Sequence, residues 1–178
     1  MSLDWSILRA IQNGMTCPFL DFLMPKITAL GNGGMIWLIA AVGLLCTKKY
    51  RKQGLILLGS LFAGALIGNV LLKNFFARPR PCWLDESVSL LIARPTDYSF
   101  PSGHTLSSVT GATVLTGIDK RFGIVAIPLA VLIAFSRLYL YVHFPSDILG
   151  GAVLGFAIGM AGLGCGQKLC QKPALDKG

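Results

Sequence analysis

Residues 53–72 read QGLILLGSLFAGALIGNVLL, twenty consecutive positions without an acidic or basic side chain. A helix needs about 20 such residues to cross the hydrocarbon layer of a bilayer. Working outward, Ile27–Thr47 and Ile148–Gln167 are also uncharged. Over the 178 residues, 53% are hydrophobic and 13% charged, where a soluble domain has about one-quarter charged. Mean hydropathy is +0.65. A disordered chain, a disulfide-stapled secreted module and a nucleic-acid binder all fit poorly. Membrane lipids are the expected surroundings, with no nucleic-acid partner. The chain reads as an all-α integral membrane protein, and its length suits a single membrane-embedded domain over residues 1–178.

The net charge of +8, from 16 Lys+Arg and 8 Asp+Glu, has a topological reading. Lys48, Lys49, Arg51 and Lys52 fill one short connection, Lys120 and Arg121 another, and Lys168, Lys172 and Lys177 the C-terminal tail. Basic residues mark the cytoplasmic side, so these turns, Arg9 and both termini are expected there. Lys73, Arg78, Arg80, Arg94 and Arg137 fall on the opposite side and need another reason. Asp4 precedes every basic residue and no apolar core leads to a cleavage site, so the first span is expected to serve as an uncleaved insertion signal. The five cysteines form no CxxC pair and no metal-ligand spacing, and are expected to pack as small hydrophobes.

The i, i+3/i+4 spacing of Leu3, Ile7, Leu8 and Ile11 predicts a short N-terminal amphipathic helix over 3–13, lying on the inner membrane surface. Six transmembrane helices follow. Pro18–Leu30 is a weak first span, and Gly31–Gly34 turns the chain into a second that ends near Thr47. The third is about Gln53–Leu72, the fourth Thr105–Ile118, the fifth Phe122–Arg137 and the sixth Asp147–Gln167. The fourth is only about 21 Å long at 1.5 Å per residue, so its start must lie below the outer surface. Small residues every four positions, at Ser60, Gly64 and Gly68 and at Gly151, Gly155 and Gly159, predict close helix contacts.

Residues 73–104 form the longest connection, and loops of that length are usually functional or disordered. Three segments on this side concentrate polar residues that packing does not require. They are Lys73-Asn-Phe-Phe-Ala-Arg78-Pro79-Arg80-Pro81, then Pro101-Ser102-Gly103-His104, then Ser136-Arg137 through His143 to Asp147. Both histidines of the chain lie in them. Lys73, Arg80 and Arg137 offer fixed positive charge, and arginine suits two-point contacts with an oxyanion. Ser102 and Gly103, at a helix start, add a hydroxyl and backbone N–H groups favoured by the helix dipole. Together they describe a phosphate pocket. Asp147, four residues after His143, can hold one imidazole N–H and leave the other nitrogen free to attack. His104 is placed to protonate a leaving oxygen.

The pattern Lys73-x6-Arg80-Pro81, Pro101-Ser102-Gly103-His104, Ser136-Arg137-x5-His143-x3-Asp147 resembles the three-part signature of the type-2 phosphatidic acid phosphatase (lipid phosphate phosphatase) family, a relative of the vanadium haloperoxidases. The resemblance spans residues 73–147 and departs at no signature position. It implies a metal-independent phosphatase without a cofactor. His143 resembles a nucleophile that forms a phosphohistidine, Asp147 its orienting partner, and His104 the general acid that later activates water. Lys73, Arg80, Ser102, Gly103 and Arg137 resemble phosphate ligands. Arg78 lies outside the pattern, and no acidic cluster suits Mg²⁺.

An outward, membrane-sunk cationic pocket favours a lipid phosphate substrate at the outer leaflet of the cell membrane. Undecaprenyl diphosphate is the leading expectation. Phosphatidate, diacylglycerol diphosphate and phosphatidylglycerophosphate are alternatives, as is transfer of the phosphate to a lipid or sugar hydroxyl. The apolar stretch Ser87–Ala93 is either a lid meeting the lipid chain or loop packing.

Overall fold

A computed structural model describes residues 3–170, and every regular element among them is helical. Helix α1 covers Leu3–Gly14 and α2 covers Pro18–Leu30, with proline in its first turn, where no N–H is missed. A single turn, Asn32–Gly34, leads into α3, Met35–Cys46. After the basic turn, α4 (Arg51–Gly64) continues through a π-helical stretch, Ala65–Leu72, into the one-turn α5, Lys73–Phe76. Another single turn, α6, spans Pro81–Leu84. The long helices α7 (Gly103–Ile118), α8 (Lys120–Tyr139) and α9 (Pro145–Cys170) complete the bundle.

Helix α7 is the central post and packs most extensively on α9 and α8. The small-residue stripe of α9 makes this possible: a Cβ on Gly155 would sit 2.5 Å from the carbonyl oxygen of Leu106. At that contact Thr110 Oγ1 donates to the Gly155 carbonyl at 3.1 Å. On the other flank Trp37 Nε1 donates to Ser108 Oγ and ties α3 to α7. The outer surface carries exposed Phe62, Ile124, Val125, Leu149, Val153 and Phe156. A helix bundle clad in large apolar side chains suits lipid, where backbone groups are satisfied within each helix. Three helical stretches are long and apolar enough to cross a membrane, Lys48–Leu84, Lys120–Tyr139 and Pro145–Gly166.

The six spans expected are not reproduced among the described residues. Pro18–Leu30 and Asn32–Cys46 are two halves of one candidate span, bent by 45°. Gly33 and Gly34 adopt positive φ of 58° and 73°, and this kinks the path without reversing it. The path runs steadily along the bundle: Asp21 meets Tyr139, Gly34 lies near Ser107, and Trp37 reaches Ser108. At the far end Tyr50 packs on Phe122, so the two basic turns lie together. Among the described residues five helical runs, α2–α3, α4, α7, α8 and α9, traverse the bundle, and three of them, or four with the bent pair taken as one, are long and apolar enough to cross a membrane.

An odd number of passages moves the N-terminal helix. The helix expected over 3–13 is present as α1, but it docks on the end opposite the basic turns. Trp5 packs edge-on against Phe144, and Asp4 accepts hydrogen bonds from Ser146 and Arg78. Its Leu8 and Ile11 are buried. The expectation that Arg9 and the N-terminus share a side with the basic turns is thus overturned by these contacts. Lys172 and Lys177 of the tail lie outside the described residues, as do the side chains of Lys168 and Cys170. Among the described cysteines Cys82 is buried as expected, whereas Cys17, Cys46 and Cys165 are exposed.

Candidate active site

The end of the bundle that carries α1 holds a cavity of about 770 Å³. Lys73, Arg80, Arg137 and His143 line it together with Gly103, His104 and the Gly31–Gly34 turn. Lys73 arrives at the end of the π-helical stretch, a local widening often found at functional sites. Asn69, in that stretch, packs so closely on Gly103 that a Cβ there would lie 2.6 Å from its Oδ1. A side chain at the start of α7 would therefore have to displace the Asn69 amide.

His143 is 1% exposed and held on both ring nitrogens. Arg80 Nη1 lies 3.1 Å from Nε2. Arginine can only donate, so Nε2 is the bare nitrogen and the proton resides on Nδ1. The sequence assigns Asp147 to that proton directly. In the structure Asp147 Oδ2 is 3.5 Å from Nδ1, and Ser99 Oγ sits beside the pair and touches both atoms. Ser99 Oγ donates to Asp147 Oδ2 at 2.5 Å and is 3.3 Å from His143 Nδ1, whose N–H it accepts. The Asp147 carboxylate also accepts from the Phe144 N–H at 2.8 Å and from Arg78 Nη1 at 2.5 Å. Arg78 in turn is paired with Asp4 of α1 at 2.8 Å and covers the Phe144 ring. Arg78, which the sequence pattern leaves out, thus belongs to the support of Asp147.

The cations gather beside Nε2. Lys73 and Arg80 both pair with the Asp97 carboxylate, and Arg80 Nη2 donates to Oδ1 at 2.7 Å. Partial burial pushes the Asp97 carboxyl up, but the hydrogen bonds and charges of Lys73 and Arg80 outweigh it and hold the group at about 2. Arg137 donates to Thr28 Oγ1 at 2.7 Å, while its buried Nε has no hydrogen-bond partner. Burial, followed by the positive charge of Arg80 and Arg137, pushes His143 well below the usual imidazole value. His104 Nε2 is 3.0 Å from Asn32 Oδ1.

Ser102, expected to bring a phosphate-binding hydroxyl, stands at the first turn of α7. It is fully buried behind the cavity wall and caps α7, with Oγ accepting from the Thr105 N–H at 3.4 Å and from Thr105 Oγ1 at 3.1 Å. Its N–H donates to the Asp147 carbonyl, joining α7 to α9. The apolar stretch in the long loop packs against the bundle. Val88, Leu90 and Ile92 pack on the core, and Ile92 and Ala93 also line the cavity. Asp97, Ser99, Asn32 and Thr28 were invisible as site residues in the sequence. For Asp97 and Ser99 the one available signal is the polar run Thr96-Asp97-Tyr98-Ser99 just before Pro101.

A cluster of buried cations around a bare imidazole nitrogen, at one end of a lipid-clad helix bundle, defines a membrane protein with an oxyanion site. The sequence matches the family model of the PAP2 superfamily over residues 53–169, and the chain belongs to that superfamily. It is 40% identical over 121 residues to an undecaprenyl-diphosphatase of Sulfolobus acidocaldarius, covering 67% of this chain and 58% of that protein. It is 28% identical over 159 residues to the undecaprenyl-diphosphatase BcrC of Bacillus subtilis, covering 88% and 81%. A lipid A 4′-phosphatase of Porphyromonas gingivalis is 31% identical over 83% of this chain, and the chain spans 66% of its length. Among solved structures, Aquifex aeolicus LpxE superposes with a TM-score of 0.80 at 32% identity, covering 92% of this chain and 96% of LpxE. The PAP2-type phosphatidylglycerolphosphate phosphatase of Bacillus subtilis gives 0.77 at 27% identity, covering 97% and 90%.

Proposed function

We propose that the chain is a metal-independent phosphatase of lipid phosphates or diphosphates that works through a phosphohistidine. The observation that carries this reading is the bare Nε2 of His143, backed by Ser99 and Asp147 and flanked by Arg80 in a cavity lined by Lys73 and Arg137. In the first step His143 Nε2 forms a bond to phosphorus as the bond from phosphorus to the lipid oxygen breaks. His104 gives that oxygen its proton, and Asp147, through Ser99, stabilises the positive imidazole ring. In the second step His104 takes a proton from water, the oxygen attacks phosphorus, and the P–N bond breaks to release inorganic phosphate. Lys73, Arg80, Arg137 and the backbone N–H at Gly103 hold the phosphoryl oxygens throughout. No group of three His, Cys, Asp or Glu side chains among the described residues is arranged to hold a metal ion.

The site faces the extracytoplasmic side in this reading, since the basic turns at the other end belong to the cytoplasm. Helix α1 then lies outside with the site. Undecaprenyl diphosphate is the leading substrate, supported by relatives bearing that name. Relatives named for lipid A and phosphatidylglycerophosphate keep those lipids, and transfer to another hydroxyl, as the competing choices. The test is phosphate release by purified protein in detergent with EDTA present, from undecaprenyl diphosphate, phosphatidate and phosphatidylglycerophosphate side by side. Release that survives EDTA and disappears in His143→Ala is expected, with the fastest rate on undecaprenyl diphosphate. Wild-type turnover in His143→Ala sinks the nucleophile, and release from no lipid sinks the hydrolase.

A further inference from the structure

The phosphate ligands of the cavity already hold an anion that belongs to the chain. Asp97 places one carboxylate oxygen on Lys73 Nζ and the other on Arg80 Nη2. The remaining Arg80 donors are occupied as well: Nε donates to the Asp97 carbonyl, Nη2 also to the Tyr98 carbonyl, and Nη1 to the Val142 carbonyl. Nη1 also covers His143 Nε2. A phosphoryl group therefore meets neither a free guanidinium nor a free nucleophile until this arrangement opens.

We propose that Asp97 is a built-in phosphate surrogate. It fills the phosphoryl subsite at rest, yields it to the incoming lipid phosphate, and by returning to Lys73 and Arg80 drives out the inorganic phosphate product. The proposal rests on reading Lys73 and Arg80 as phosphate ligands.

Three features of the site support it. A carboxylate bridging an ammonium and a guanidinium makes the same two-point contact as two phosphoryl oxygens. The two halves of the ion pair also differ in freedom. The Lys73 and Arg80 side chains are 7% and 2% exposed, whereas that of Asp97 is 57% exposed and sits on the connection between α6 and α7. Buried cations without a counter-ion are costly, so the empty site needs an anion, and the one it has can turn out into water. Finally, the buried Arg137 lines the same cavity with its Nε unpartnered. The carboxylate satisfies two cations and leaves that donor open, while a phosphoryl group with three oxygens can satisfy all three. An internal competitor weakens the apparent affinity for substrate and product alike, scaling it by the fraction of time the subsite is free. Release of a small dianion from a strongly cationic pocket gains from this competition.

The experiment titrates the full-length protein in detergent with inorganic phosphate, reading affinity from thermal stabilisation, for wild type, Asp97→Asn and Asp97→Ser. Turnover is measured on separate samples. With one charge-assisted competitor removed, both variants should bind phosphate about tenfold more tightly, and KM for the lipid should fall in step while kcat does not rise. Equal or weaker phosphate binding in the variants overturns the proposal. Loss of the cooperative unfolding transition in both also overturns it, because Asp97 would then be a structural strut. If the wild type hydrolyses no lipid, the phosphatase reading fails on its own, and tighter phosphate binding in the variants still supports the surrogate.

Discussion

The two histidines line one cavity from different elements, each with its own wall, and are held in opposite ways. His143 is sealed in the connection between α8 and α9, with Arg80 on one ring nitrogen and Ser99 and Asp147 behind the other. His104 is half-buried on the first turn of α7, and the hydrogen bond described for its ring runs to Asn32, on a glycine-rich turn. The contrast matches two chemical tasks. A nucleophile must keep one nitrogen bare and aimed, which requires a fixed tautomer. A proton carrier must serve a leaving oxygen and then a water, which requires access. Strong fixation on one wall and light fixation on the other follow.

Breaking the fixed wall should have the larger effect. Asp147→Asn keeps the shape but removes the charge that stabilises the imidazolium, and should lower kcat by roughly ten-thousandfold, by analogy with triad aspartates. The same substitution takes from Arg78 one of its two carboxylate partners, leaving Asp4 as the other, so melting should be followed alongside turnover. A loss of less than about tenfold would place the support of His143 elsewhere, in Ser99 or Arg80. On the light wall, Asn32→Ala removes one hydrogen bond to His104 and should slow turnover about fivefold, with KM little changed. An Asn32→Ala loss as large as that of Asp147→Asn would erase the distinction between the walls.

How much of this was legible in the sequence differs along the chain. The apolar runs revealed a membrane bundle because hydrophobic length is a local property. The three polar segments showed which residues converge, since nothing in a bilayer-facing helix requires Lys73, Arg137 or His143. The number of passages was not legible. Gly31-Asn32-Gly33-Gly34 reads alike whether the chain reverses or bends, and only the packing of Trp37 under Ser108 selects the bend. That single ambiguity misplaced α1, and with it Asp4. Arg78 looked like a spare cation because its partners, Asp147 and Asp4, are distant in sequence. Ser99 and Asp97 stayed hidden for a related reason: a hydroxyl and a carboxylate in a polar loop carry no spacing, and their roles exist only once Lys73, Arg80 and His143 surround them. Ser102 shows the same limit from another side, since a serine at a helix start suits a ligand and a cap equally well, and its capping bond appears only in the fold.

The central claim is that phosphate passes through His143, and trapping it there tests this most directly. Protein is mixed with lipid phosphate labelled on its terminal phosphate, quenched in alkali, and digested to locate the label. The expected result is label on the peptide containing His143 in the wild type, more of it in His104→Ala because the second step is slowed, and none in His143→Ala. Label that persists in His143→Ala, or rapid turnover with no protein-bound label in either the wild type or His104→Ala, would contradict it.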